Sequence, residues 1–562
     1  MKKIIECVPN FSEGRDMNII KQITDEVERI EGVKLLDVDP GQATNRTVVT
    51  FVGEPEQVLE AAFQAIKKAS QLIDMRLHHG AHPRFGATDV CPLIPVAGIT
   101  MEETVEYARK LAKRVGEELG IAVYCYENAA FDPRRRNLAY CRAGEYEGLK
   151  DKLSTPDGKP DFGPVEFNAT AGATAIGARD FLVAINYNLN TTSTRRANAI
   201  AFDVREKGRP QREGGKVTGK PIKDEKGNTV MIPGTLKATK AIGWFIEEYG
   251  IAQVSMNITN ISTTPVHVAY EEVFAKAAAR GVRVTGAEIV GLVPKKCLID
   301  AGKYYLAKQQ RSLGVDEAEI IKIAVKSMGL DDLKPFKPEE KIIEYVMEAD
   351  NKERKLVDMT CTGFANETAS ESPAPGGGSI SAYMGALAAA LGTMVANLSS
   401  HKPGWDERWE EFSKWAEQGQ ALKDELLHLV DEDTNAFNKI MNAFGLPKKT
   451  DEEKAARTAA IQEATKYAIE VPFRTMKKSF ETFGIVKAMV ETGNPNSVTD
   501  AAVGALCARS AVMGAWLNVR INAASLKDRD FVDKVLAEAK QLAEKAMQTE
   551  AEVLKMADEQ IG

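Results

Sequence analysis

Two rhythms divide the chain. Through about residue 330, short β-rich runs alternate with amphipathic helical stretches, and beyond it helical periodicity continues almost unbroken. In the first part the pattern predicts strands over Lys2–Val8, Val33–Asp39, Arg46–Val52, Cys91–Val96 and Ala122–Tyr126. Helices are predicted over Met17–Ile30, Pro55–Ile73 and Glu102–Glu118. The order is β-α-β-β-α-β with additions, which predicts an α+β sandwich of one sheet under helices. A similar unit begins at Arg179, with strands over Phe181–Tyr187, Lys237–Trp244, Gln253–Ile258 and Val282–Ile289 and helices over Thr194–Val204 and Pro265–Arg280. Between the units, Thr155-Pro156-Asp157-Gly158-Lys159-Pro160 marks a boundary or an exposed loop. The charged, Gly-rich stretch Glu206–Gly234 reads as an exposed hairpin.

Beyond the Pro-rich passage Leu333–Pro338, long helices are predicted over Asp406–Met441, Asp451–Lys478, Asp500–Ala524 and Arg529–Asp558. That pattern predicts an antiparallel helical bundle. The fold expectation is therefore multidomain. Two α+β sandwich subdomains of the ferredoxin-like type, 1–178 and 179–328, are followed by a linker at 329–341 and an all-α bundle at 342–562.

Composition changes this picture little. A chain of 562 residues is too long for one core, and its 44% hydrophobic and 27% charged residues are ordinary for a globular protein. The formal net charge of -7 disfavours general nucleic-acid binding, which needs a surplus of Lys and Arg. The seven cysteines are scattered and never form Cys-x-x-Cys, so a reducing, cytoplasmic setting fits better than a disulfide framework or zinc-thiolate site. The start, Met1-Lys2-Lys3-Ile4-Ile5-Glu6, reads as a first strand rather than a signal peptide. Ser372–Ser400 carries no charge, yet its Gly and Ala content points to a buried bundle helix rather than a membrane span.

Chemistry enters with the histidines. The chain has six, and His78, His79 and His82 fall within five residues, followed by Pro83-Arg84-Phe85-Gly86. Gly80 and Pro83 argue for a loop, and no His-Glu-x-x-His or nearby Cys supports a metal site. A loop His acting as general acid and base is the better reading, because its pKa lies near working pH.

Several segments together carry a family likeness. Cys7-Val8-Pro9-Asn10-Phe11-Ser12-Glu13-Gly14, Asp37-Val38-Asp39, Thr44-Asn45-Arg46-Thr47, Gly80–Gly86, Phe162-Gly163-Pro164 and Gly172-Ala173-Thr174 resemble glutamate formimidoyltransferase. Pro375-Gly376-Gly377-Gly378-Ser379, Val430-Asp431-Glu432-Asp433 and Gly493-Asn494-Pro495 resemble formimidoyltetrahydrofolate cyclodeaminase. Nearly end to end, the chain is similar to the bifunctional formimidoyltransferase-cyclodeaminase family.

The resemblance implies two reactions of histidine degradation. A formimino group passes from N-formimino-L-glutamate to N5 of tetrahydrofolate, a co-substrate that is polyglutamylated in some settings. The 5-formiminotetrahydrofolate then cyclises to 5,10-methenyltetrahydrofolate and ammonia. No metal is implied. The family's catalytic His falls on His82, and its folate segment falls on Gly163, Pro164, Val165, Glu166, Phe167, Asn168, Ala169, Thr170, Ala171 and Gly172. Animal members carry Trp at the place of Ala171. The catalytic carboxylate of the second reaction falls on Asp433, whereas the residue types alone leave Asp431 and Asp433 equivalent. Asp39 and Asp89 are candidates to orient or charge-balance His82. Arg84 is a candidate to hold a carboxylate, with a structural salt bridge as the alternative, and Asp500 is a further polar candidate. The family also implies a homo-oligomer, a ring-shaped octamer. Two other readings stay open: a formimidoyltransferase fused to a methenyltetrahydrofolate cyclohydrolase, and a non-enzymatic scaffold, against which the retained His82 and Asp433 speak.

Overall fold

A computed structural model describes residues 3–41, 45–79, 84–215, 219–349 and 355–562. It divides into two compact units, one holding residues 1–300 and 328–351 and the other 301–327 and 352–562. The first is mixed α/β and the second helical. The passage 329–341, expected as a linker, belongs to the first unit, where Ile342 is buried and bridges Val293.

The first unit contains two sheets. The larger has seven strands: β1 (Ile4–Cys7), β2 (Asn10–Phe11), β3 (Val33–Gly41), β4 (Arg46–Gly53), β5 (Thr88–Ala97), β6 (Ala122–Glu127) and β7 (Ala173–Ala178). Both β1 and β2 pair with β4 on one side and β5 on the other, so they form one interrupted strand. Pro9, which has no N–H for a ladder, stands at the interruption. The pairing order is β3-β4-β1/β2-β5-β7-β6, with β7 parallel to both its neighbours. Helices Met17–Glu28, Pro55–Leu72 and Met101–Leu119 bury their apolar stripes against this sheet. The last begins with a capping box, in which Thr100 and Glu103 satisfy each other's backbone N–H groups.

Next come β8 (Val183–Leu189), a two-stranded hairpin of β9 (Arg209–Pro210) and β10 (Met231–Ile232), then β11 (Thr239–Ile246), β12 (Ile251–Ile258) and β13 (Val284–Val290). The hairpin lies within the predicted Glu206–Gly234 insertion. The smaller sheet runs β11-β12-β8-β13, all antiparallel, with helices Thr194–Val204 and Val266–Ala278 as its crossovers.

In the helical unit, Gly377–Ser400, Trp409–Gly445, Asp451–Thr492, Val498–Ala523 and Arg529–Ile561 are the long helices. The uncharged helix Gly377–Ser400 buries 14 of its 24 residues and packs against three of the others. It and Pro495–Ala523 are long and apolar enough to cross a membrane by length and composition. Their small residues have a packing role here. A Cβ on Gly419 would lie 1.9 Å from Thr393 Oγ1, and one on Gly514 2.3 Å from Ser381 Oγ. The helices touch where side chains are missing.

Candidate active sites

In the first unit, separated motifs fold onto one another. Asn45 is the knot. Its Oδ1 accepts the Gly14 N–H at 3.0 Å, and its Nδ2 donates to the His79 carbonyl at 3.0 Å. Its own carbonyl accepts the His78 Nε2–H at 2.8 Å, which fixes the tautomer because a carbonyl cannot donate. Asn45 takes a left-handed φ of 50°, a conformation that Asn tolerates better than most residues. Gly14 packs so closely that a Cβ would lie 2.4 Å from the Gly41 carbonyl and 2.5 Å from the Arg46 nitrogen. Thr47 Oγ1 donates to the Glu13 carbonyl at 2.5 Å. His78 is buried, and burial lowers its pKa. His82 lies outside the described residues.

The folate segment of the resemblance is pinned at both ends. At its start, Gly163 (φ 87°) presses against the Ile121 carbonyl, 2.2 Å from where a Cβ would stand. At its end, Gly172 pairs with Gly86 as an isolated bridge. Ala87 N–H donates to the Ala171 carbonyl at 2.8 Å, and Ala173 N–H to the Phe85 carbonyl at 3.2 Å. Gly86, which follows the His-rich segment in sequence, therefore bridges the last residue of 163–172. Between the pins, Asn168 Oδ1 accepts the backbone N–H of Thr170 at 3.2 Å and of Ala171 at 3.0 Å. Val165 is exposed and Ala171 is buried in the core. The segment's aromatic surface comes from Phe167, whose ring centroid lies 5.6 Å from that of Tyr146.

The candidate supporting groups separate. Arg84 pairs with Glu147 at 2.6 Å and also donates to the Met75 and His78 carbonyls, with its guanidinium over Tyr146. Asp89 is fully buried between Arg46 (2.8 Å) and Arg142 (3.1 Å). Burial lowers the Arg46 pKa. Asp39 is exposed near the end of β3, opposite Val48. Over the Phe85 ring, half-buried Lys152 donates to the Cys141 carbonyl, and burial pulls its pKa down to about 8.

In the helical unit the Gly-rich turn and the acidic run meet. Ser379 Oγ lies 3.2 Å from Asp433 Oδ2 and 2.9 Å from the Val430 carbonyl. A Cβ on Gly378 would stand 2.1 Å from Asp433 Oδ1, so only glycine admits the carboxyl there. Burial raises the Asp433 pKa. The neighbouring acids face elsewhere. Asp431 accepts the Leu356 N–H at 2.6 Å, and Glu432 accepts the Tyr467 hydroxyl. The structure thus separates two aspartates that the sequence left equivalent. Asp500 is not brought to them. It lies in the first turn of Val498–Ala523, whose opposite end carries Asn518 beside Gly377, about 27 Å away along the helix. Among the described residues, no group of three or more His, Cys, Asp and Glu is placed to hold a metal.

Models of known families match most of the chain in three pieces. The formiminotransferase N-terminal subdomain matches residues 4–179, the formiminotransferase domain 184–348, and formiminotransferase-cyclodeaminase 360–541. The formimidoyltransferase-cyclodeaminase of Gallus gallus is 42% identical over 99% of this chain and 98% of its own length. The chain belongs to the formimidoyltransferase-cyclodeaminase family. The glutamate formimidoyltransferase of Streptococcus pyogenes is 42% identical over 54% of this chain and 94% of its own. The methenyltetrahydrofolate cyclohydrolase of Methylorubrum extorquens is 40% identical over 33% of this chain and 90% of its own. Sequence reasoning missed Arg142, Tyr146 and Ser379 as parts of these sites. The first two sit in an irregular stretch without periodicity, and Ser379 was read only as the end of a Gly-rich turn.

Proposed function

We propose that the two units carry successive reactions of one bifunctional folate enzyme, formimidoyl transfer in the mixed unit and cyclodeamination in the helical one. What supports this is that each unit folds its separate motifs together: Gly86, which follows the His-rich segment, bridges Gly172 of the folate segment, and Gly378 and Ser379 enclose Asp433. In the first reaction His82 takes the proton from tetrahydrofolate N5 as it attacks the amidine carbon, then returns it to the departing glutamate nitrogen. Tetrahydrofolate lies along residues 163–172. Arg84 and Asp89 hold the loop and strand rather than substrate. Both halves of the transferase are ferredoxin-like, a reading supported by the shared order β3-β4-β1-β5 and β11-β12-β8-β13. A division of the transferase near residue 179 accompanies this reading, supported by the matched ranges 4–179 and 184–348.

In the second reaction, protonated Asp433 gives its proton to the imino nitrogen as N10 attacks the carbon. The carboxylate then removes the N10 proton. That proton goes to the amino group, the C–N bond breaks, and ammonia departs. Asp433 ends ionised beside the methenyl cation, whose charge it offsets. Solvent restores its proton. The enzyme works in the cytoplasm as a homo-oligomer. Exposed Leu387, Leu398, Val503, Leu506, Leu517 and Ile521 on two adjacent helices support the oligomeric state.

The cyclohydrolase reading of the helical unit keeps one observation, the 40% identity to an enzyme of that name. Supplying 5-formiminotetrahydrofolate and, separately, methenyltetrahydrofolate decides between them. Release of ammonia with methenyltetrahydrofolate supports cyclodeamination, and methenyl-to-formyl hydrolysis without ammonia release overturns it.

A further inference from the structure

A serine hydroxyl has one proton and two acceptor lone pairs. Ser379, fully buried at the start of the Gly377–Ser400 helix, stands between two oxygens, the Val430 carbonyl at 2.9 Å and Asp433 Oδ2 at 3.2 Å. The carbonyl can only accept. It is also the nearer partner, so the Ser379 proton belongs to Val430. That leaves Ser379 Oγ facing Asp433 as an acceptor, and an acceptor there needs a proton on the carboxyl. Val430 and Asp433 are three residues apart on one helical face, so a single hydroxyl reaches both. The absent side chain at Gly378 brings the carboxyl into range.

We propose that Ser379 is a positioning residue for the second reaction: it receives the Asp433 carboxyl proton on Oγ while donating its own to the Val430 carbonyl, and so holds Asp433 as an acid before substrate reacts. This rests on the reading of Asp433 as the reacting carboxyl. The relay is directional. It orients the protonated oxygen, Oδ2, and keeps the proton there until the imino nitrogen takes it, after which the ionised carboxyl accepts the N10 proton.

The surroundings agree. Burial raises the Asp433 pKa and is the largest influence on it, against the Ser379 hydroxyl and the Ser379 backbone N–H, each of which favours the ionised form when it donates. The charged groups nearby are engaged with one another. Asp431 is held by the Leu356 N–H, with Asp358 and Lys355 beside it. Glu432 takes the Tyr467 hydroxyl, with Lys439 at 3.9 Å and His428 at 3.7 Å. The first turn of the Gly377–Ser400 helix contributes no titratable side chain, and Asn518 is the neighbour of Gly377 from the Val498–Ala523 helix.

The test is the pH profile of ammonia release from 5-formiminotetrahydrofolate by the full chain and by Ser379→Ala. Losing the acceptor of the acid's proton lowers the pKa of the acid. The alkaline limb of the kcat profile should move down by about one pH unit, the size of one hydrogen bond, with KM little changed. Ser379→Thr, which keeps the hydroxyl, should bring the limb back. A limb that stays in place makes Ser379 structural only. A limb that moves up means Ser379 donates to a carboxylate. Either result overturns the proposal. Should Ser379→Ala fail to fold, the infrared difference between the unaltered chain and Asp433→Asn decides: a protonated-carboxyl C=O band persisting to neutral pH is required, and its absence overturns the proposal. Full deaminase activity in Asp433→Asn would instead refute the role of Asp433 itself, which separates the two failures.

Discussion

Replacing Gly378 with alanine should cost activity without costing stability. The new Cβ would stand 2.1 Å from Asp433 Oδ1, 2.5 Å from Cγ and 2.6 Å from Oδ2, where ordinary contact begins near 3.4 Å. The carboxyl must therefore withdraw by more than 1 Å along the shortest vector. What the methyl meets is the end of a side chain rather than backbone, so Asp433 can rotate away without shifting either helix. Gly378 lies in the first turn of a helix, where alanine is favoured over glycine by up to about 1 kcal/mol. Unfolding midpoints should thus be unchanged or slightly raised. Catalysis has no such tolerance. Misplacing a reacting group by about 1 Å costs roughly 10²-fold, so kcat for ammonia release from 5-formiminotetrahydrofolate should fall by about that factor. Formimino transfer, followed in the same preparation, should keep its wild-type rate. A Gly378→Ala enzyme that is equally stable and retains its deaminase kcat would refute the placement of Asp433 at the reacting centre. Parallel loss of stability and of both activities would refute the reasoning about where the methyl is accommodated.

The remaining predictions concern the mixed unit. A Cβ on Gly86 would meet the Ala173 carbonyl at 2.2 Å and the Ala171 carbonyl at 2.7 Å. Both are backbone, so Gly86→Ala should destabilise by about 1–3 kcal/mol and abolish transfer while sparing deamination, as urea unfolding and paired assays would read. Asp89→Asn leaves two guanidinium groups around a buried amide and should destabilise by about 3–5 kcal/mol in the same unfolding experiment. Lys152 has its pKa lowered by burial from 10.5 to about 8. A folded pKa below the unfolded one means that its charge opposes folding. The stability penalty is therefore full below pH 8 and is relieved as pH rises towards 10.5. The stability difference between Lys152→Met and the unaltered chain should narrow across that window, and a difference independent of pH would contradict the burial argument.

Much of this architecture was legible as periodicity, because burial on one face imposes it. Helix Thr194–Val204 and the starts of Pro55–Leu72 and Asp451–Thr492 coincide with their predicted limits. What escaped has physical reasons. Strand β7, Ala173–Ala178, is buried on both faces in a parallel position, so its six residues show no alternation and too little bulk to signal a strand. Strand β2, Asn10–Phe11, lies beyond the predicted strand Lys2–Val8, on the far side of Pro9. Asp451–Thr492 runs past the predicted end at Lys478, where buried Phe483, Ile485, Val486, Met489 and Val490 keep the helix packed. At the sites, residue types pointed to the His-rich loop. They did not distinguish Asp431 from Asp433, because that choice depends on which carboxyl meets a backbone N–H at Leu356 and which meets Ser379. For Arg84, residue type left a substrate carboxylate and a structural salt bridge equally open, because its partner Glu147 is remote in sequence.

On the proposed function, one chain performs two consecutive reactions at two separate places, with His82 serving one and Asp433 the other. This is tested most directly by supplying N-formimino-L-glutamate and tetrahydrofolate to His82→Ala, to Asp433→Asn, and to an equal mixture of the two. His82→Ala should yield almost no product, and Asp433→Asn should accumulate 5-formiminotetrahydrofolate without ammonia. Their mixture should restore both methenyltetrahydrofolate and ammonia. Ammonia from Asp433→Asn alone, or a mixture as inactive as its parts, would contradict the claim.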